Sequence, residues 1–237
     1  MKFNQDLTVG EVVAQDYRTA SVFQSHGIDF CCKGGRSISD VCESKNLEAP
    51  ALVQELQEAT YSNAAAAIDY RTWPLDLLAD YVEKKHHRYV AQKSPELMQY
   101  LNKLCKVHGE RHPELFEIRD EFAHVATELA SHMQREEMVL FPFVRKLANV
   151  KHLAPPPFGT VENPIRMMMA EHAVEGDRLA RISELSSQYS APADGCTTYR
   201  VAFAMLREFE EDLHLHIHLE NNIMFPRAIE LERQILN

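Results

Sequence analysis

The sequence predicts an all-α protein, a four-helix bundle preceded by a small helical N-terminal domain. Three observations carry that prediction. Apolar residues recur three and four apart over long stretches. Gly and Pro are few, 8 and 11 among 237 residues, and they gather where helices would start or loops would turn. No stretch alternates convincingly in the manner of a half-buried strand.

The first sixty residues read as a unit of their own. Small amphipathic segments, Val9 to Phe23 and Ile38 to Leu47, flank the turn Cys31-Cys32-Lys33-Gly34-Gly35. Thr60 to Asp69 reads as a linker, although its alanines also suit an extended helix. The expected domains are therefore 1–60 and 73–237. The first long helix begins at Pro74, after Thr72-Trp73, with Leu75, Leu78, Ala79 and Val82 as its stripe. Ser94-Pro95-Glu96 then reads as the start of a short helix reaching Lys106, with Leu97, Leu101 and Leu104 on one face. A second long helix runs from about Pro113 to Ala148, a third follows Pro164 and a fourth starts near Thr197. Loops fall at Ala154 to Gly159 and at Ser186 to Gly195. Met167-Met168-Met169 reads as core filler.

Composition narrows the function. Charged residues make up 25% and the net charge is −10, which argues against a nucleic-acid binder and against an anionic membrane surface. No apolar run approaches the roughly 20 residues that span a bilayer. Met1 to Gly10 lacks the apolar core of an export signal, so the expected location is the cytoplasm, where thiols stay reduced. Five cysteines, an odd number sparsely placed, make a poor disulfide framework.

The chemistry lies in a repeat. His132-Met-Gln-Arg-Glu136 is followed by Phe141-Pro142, and His216-Ile-His-Leu-Glu220 by Phe225-Pro226. Residues four apart lie one turn apart on one helix face, so each motif offers an imidazole and a carboxylate to one point. The upstream helices supply His87 and His172. If two similar helix pairs fold together, His87, His132, Glu136, His172, His216 and Glu220 meet. Imidazole with carboxylate suits iron, manganese or zinc. Six donors are too many for one tetrahedral zinc but fit two metals bridged by carboxylates, and a bundle interior can hold such a pair. A single such His–Glu pair is more often a solvated ion pair; two copies with matched upstream histidines reverse that reading. Pro142 and Pro226 read as helix punctuation, with Phe141 and Phe225 as core. His86, His214, His218 and Glu137 are expected to point away from the cluster. Glu128, one turn before His132, and Glu171, beside His172, are candidates to line the entrance as supporting acids.

Cys31 and Cys32 are vicinal and lack the two-residue spacer that lets two thiolates grip one ion. The following Gly34-Gly35 exposes amides that can lower a thiol pKa, and two small residues packed in a turn explain the pair equally well.

Val9-Gly10-Glu11, His26-Gly27-Ile28-Asp29-Phe30 and the Cys31-to-Gly35 turn resemble the short domain that opens the RIC (repair of iron centres) proteins. Ser131-His132-Met133, Glu220-Asn221-Asn222 and Phe225-Pro226-Arg227-Ala228 resemble their hemerythrin-like domain. The similarity covers nearly the whole chain. It implies two non-haem iron ions, bound by His87, His132, His172 and His216 and bridged by Glu136 and Glu220. It also implies a role in restoring iron–sulfur clusters damaged by nitric oxide or peroxide, with damaged or apo iron–sulfur proteins as partners and a functional use for Cys31 and Cys32. Reduction or scavenging of nitric oxide, and reversible binding of O2 or NO as a sensor or carrier, are the competing expectations. A homodimer is allowed by the sequence and not specified by it.

Overall fold

The computed structural model describes residues 3–61, 68–150 and 156–236. Most of the expected linker (62–67) and the start of the Ala154 to Gly159 loop (154–155) lie outside the described residues. The described residues form helices throughout, with one isolated bridge between Thr8 and Ser37 and no strand.

The N-terminal unit comprises α1 (Val9–Gln15), α2 (Ala20–Ser25), α3 (Ile38–Lys45) and α4 (Ala49–Tyr61). Thr8 and Glu11 cap α1 reciprocally, and Ser37 and Asp40 do the same for α3, so both starts are fixed by local chemistry. The segment from Val9 to Phe23 is broken at Asp16, which is extended and whose carboxylate holds Arg18.

Four long helices follow. α5 joins Leu75–Tyr81, a π-helical turn Val82–His87 and Arg88–His108. α6 joins Glu114–Arg135, a π turn Glu136–Leu140 and Phe141–Asn149. α7 is Glu162–Leu185. α8 joins Thr197–Leu219, a π turn Glu220–Met224 and Phe225–Leu236. Side-chain pairs set the directions. Arg181 meets Glu117, Arg178 meets Glu121 and Glu171 meets His132, so α6 and α7 run antiparallel. Arg145 with Asp80 and Cys105 with Leu115 do the same for α5 and α6. Lys85 with Asp212 and His108 with Cys196 do it for α5 and α8. The result is an up-down-up-down bundle.

Its apolar interior falls into two clusters. One holds Leu97, Leu101, Phe122, Leu129, Leu206 and Leu213 and is continuous with the core of the N-terminal unit through Val9, Val12, Phe23 and Phe30. The other holds Leu78, Val82, Leu140, Phe141, Val144, Met168 and Phe225. Between them along every long helix comes a layer of buried polar side chains, among them His87, Glu136, His172 and Glu220.

Three local expectations are corrected. Pro95 opens no separate helix: it sits inside α5, exposed, because burial of Val90, Leu97, Leu101 and Leu104 on one continuous stripe outweighs one lost backbone bond. Pro142 and Pro226, read as punctuation, mark π turns and not helix ends, in keeping with the helix expected from Pro113 to Ala148. The π turn just upstream absorbs each proline, carrying the Phe141 amide to the Glu136 carbonyl and the Phe225 amide to the Glu220 carbonyl, and the helices run on to Asn149 and Leu236. Of the three methionines only Met168 is core; Met167 and Met169 are exposed, as a helix periodicity requires.

Replacing exposed Pro95 with alanine restores an amide donor inside α5 and is expected to raise unfolding stability by about 1–3 kcal/mol. Urea unfolding measures it; a loss of stability would mean that the proline ring itself contributes packing.

Candidate metal centre

The six side chains singled out by spacing converge in that polar layer. α5 supplies His87, α6 His132 and Glu136, α7 His172, and α8 His216 and Glu220; none is more than 2% exposed. Glu136 Oε2 lies 3.4 Å from His87 Nε2 and 3.3 Å from His132 Nε2. Glu220 Oε2 lies 3.2 Å from His172 Nε2 and 3.3 Å from His216 Nε2. The Nε2 atoms of His132 and His172 face each other at 3.0 Å. The donors resolve into two overlapping groups, His87 with His216 and His132 with His172, each including both Glu136 and Glu220, with donor atoms within 4.8 Å of one another.

The residues fit a pair of cations. Both carboxylate oxygens of Glu136 and of Glu220, and Nε2 of His87 and of His216, are buried with no hydrogen-bond partner. Protein interiors rarely leave such groups unpaired, since each costs roughly 1–3 kcal/mol or more. A shared set of divalent ions satisfies all of them at once. Burial works to raise the Glu136 and Glu220 pKa values, yet the surrounding imidazoles hold both carboxyls below their usual range. Burial likewise works to lower His132, but Glu136, Glu220 and Glu171 outweigh it and push the ring up to about 9.

The outer ring nitrogens are held by a second set of groups. Glu171, expected at the entrance as a supporting acid, takes His132 Nδ1 at 2.7 Å and is itself clasped by Arg135. Asn221 Oδ1 takes His172 Nδ1 at 2.9 Å. Glu137, expected to point outward, reaches back to His87 Nδ1 at 2.8 Å, because the π turn changes the facing of the residues within it. His86, expected to face away, is fully buried, bonded to Asp212 and stacked on His216 with ring centres 5.6 Å apart. The phenylalanines of the repeat do more than fill the core: Phe141 stacks on His87 at 5.4 Å and Phe225 on His172 at 6.2 Å. Their matched place in the two motifs was the one signal available in the sequence. Glu128 bonds none of the six; it is exposed and lines a cavity of about 370 Å³ outside His132, together with Glu171 and Glu175. Burial pushes the Glu175 carboxyl up to about 7.

The N-terminal unit docks directly on this centre. Asn221 Nδ2 donates to the Cys31 carbonyl and Asn222 Nδ2 to the Phe30 carbonyl, both at 3.1 Å. Cys32 Sγ lies 3.2 Å from the His172 carbonyl. His214 and His218, expected to point away from the six, receive Phe30 and Tyr17 against their rings. Gly10 must be glycine here, because a Cβ would come within 2.4 Å of Asn222 Oδ1.

The bundle and its donor set define a hemerythrin-type protein with an additional N-terminal domain. Residues 78–228 match the hemerythrin HHE cation binding domain, a class that binds iron, and residues 5–60 match ScdA_N, a domain of unknown function. The chain is 31% identical over 229 residues to the iron-sulfur cluster repair protein YtfE of Yersinia pestis, covering 97% of this chain and 98% of the relative. It is 29% identical over 219 residues to the iron-sulfur cluster repair protein ScdA of Staphylococcus haemolyticus, covering 92% and 96%. The chain belongs to the RIC family of hemerythrin-like proteins.

Substituting Asn221 with alanine removes the partner of His172 Nδ1 and one tie to the N-terminal unit. Metal affinity is expected to fall about 10- to 100-fold, with the saturated metal content unchanged. Competition with a chelator of known affinity measures this, and an unaltered affinity would show that Asn221 does not orient the ligand.

Proposed function

We propose that the protein repairs iron–sulfur clusters damaged by nitrosative or oxidative stress by donating iron from a labile di-iron site. The observation that carries this reading is the pair of overlapping donor groups sharing two buried carboxylates. In that arrangement His87 and His216 would hold one iron and His132 and His172 the other, with Glu136 and Glu220 shared between them. Four protein donors per iron leave coordination positions open, which suits cargo better than a closed structural site does. The cavity outside His132 presents the carboxylates of Glu171, Glu175 and Glu128 in succession, oxygen donors suited to a departing cation. The names of the relatives, iron-sulfur cluster repair proteins, support the same reading. The partners are then damaged or apo iron–sulfur proteins. The setting is the reducing cytoplasm, in keeping with five free cysteines. No helix among the described residues is long and apolar enough to cross a membrane.

A second reading is reduction or scavenging of nitric oxide. The two adjoining donor groups favour it, since they would set two small diatomics side by side. Sustained nitrous oxide release with a reductant would support reduction, and a single turnover would indicate scavenging. Reversible binding of O2 or NO as a sensor is weakened by the docked cysteine turn, for which a pure carrier has no evident use.

Anaerobically loaded protein should carry two irons per chain, and Glu136→Ala/Glu220→Ala protein should carry fewer than one (counts from the two donor groups). Loaded wild type should reactivate a nitric-oxide-damaged iron–sulfur enzyme, and His132→Ala should not. Equal rescue by free ferrous iron would remove the case for repair. Full iron retention by the double variant would remove the site.

A further inference from the structure

We propose that Asp29, Cys31 and Cys32 form a separate cation site, rich in thiolate, that takes a borderline divalent ion such as ferrous iron or zinc. Spacing alone offers no reason to expect it, because vicinal cysteines lack the usual spacer. The fold supplies what the spacing does not. The donor atoms of the three residues lie within 4.8 Å of one another, and the two Sγ atoms stand 3.6 Å apart on the same side of the turn. Two thiolates on one tetrahedral ion, with metal–sulfur bonds of about 2.3 Å, stand about 3.8 Å apart. The turn already holds that separation. Asp29 fixes it: its Oδ1 accepts the backbone amides of Cys31 and Cys32 at 3.1 Å and 2.8 Å and lies 3.5 Å from the Cys31 sulfur.

All three donors open on one cavity of about 330 Å³ between the N-terminal unit and the bundle, with Asp177, Glu210 and His214 on its far side. Three protein donors leave a fourth position for water or an incoming ligand, the arrangement of an exchangeable site. Binding is a proton exchange without electron transfer: two thiols give up two protons as two metal–sulfur bonds form. Cys32 Sγ also touches the carbonyl of His172, so the thiols lie one residue's backbone away from the centre in the bundle. A use as the place that receives iron leaving that centre rests on the repair reading; the site itself does not.

Cobalt(II) titration of the full chain, anaerobic and with a phosphine reductant, tests the site. The bundle centre contains no sulfur, so near-ultraviolet thiolate-to-cobalt absorption reports the cysteine turn alone. The band is expected in wild type, in wild type preloaded with iron, and in Glu136→Ala/Glu220→Ala. It should vanish in Cys31→Ser/Cys32→Ser while iron bound in the bundle stays unchanged, and Asp29→Asn should weaken cobalt binding about 10-fold or more. Absence of the band in wild type overturns the proposal. So does its survival in the double cysteine variant, which would move the sulfur ligand to Cys196, whose Sγ lies 3.3 Å from His108 Nε2. Iron retained by Glu136→Ala/Glu220→Ala would instead refute the bundle centre and leave the cobalt result standing.

Discussion

Two carboxylates buried without hydrogen-bond partners set the terms for the rest of this protein. Glu136 and Glu220 are both 0% exposed and lie between two apolar clusters. Removing an ionised carboxylate from water costs several kcal/mol even after relaxation, and nothing in the surrounding apolar clusters compensates for it. Four imidazoles are gathered around them as the neighbours, among the described residues, whose donor atoms can share a cation with them. The π turns belong to the same constraint. Each begins at a glutamate or ends at a histidine of the six, and each changes the helix register where those donors must turn inward. A chain built for stability alone would fill this layer with leucine.

The two halves match in sequence and differ in surroundings. His87 and His132 are backed by carboxylates, Glu137 and Glu171, which are partly exposed. His172 is backed by the neutral amide of Asn221, and His216 by the stacked ring of His86. A carboxylate behind an imidazole makes it a stronger donor and draws cations toward it, whereas an amide only orients it. The α5–α6 side of the centre is therefore the electrostatically inviting side, reached through solvent-facing acids. The α8 side is covered by the N-terminal unit. This asymmetry was invisible in the repeat, which presents the halves as equivalent.

The six donors were readable because helical spacing is a strong local rule and the motif occurs twice. What lay beyond that rule was not. Ser94-Pro95-Glu96 carries the same start signal as His112-Pro113-Glu114, and only the continuity of the buried stripe through Val90 and Leu97 tells them apart. Glu137 and His86 were placed outward by an ideal helix of 3.6 residues per turn, a geometry the π turns abandon. His214 and His218 take their meaning from Phe30 and Tyr17, nearly two hundred positions upstream, and no local pattern encodes that meeting. The cysteine turn was ambiguous for the same reason: its nearest chemistry is His172, 140 residues away.

His172 is the donor on which the two parts of the chain converge. Its ring is held by Asn221, whose amide also grips the Cys31 carbonyl, and its own carbonyl lies against the Cys32 thiol. Seating of the N-terminal unit and aim of this ligand are therefore coupled through one residue. Coupling of that kind is reciprocal: whatever seating contributes to cation binding, cation binding returns to seating by the same factor. Gly176, one turn beyond His172 on α7, keeps the contact close, since a Cβ there would stand 3.0 Å from the Cys32 sulfur. A domain that served only to cover the bundle would not need so close an approach beside His172, one of the six converging donors.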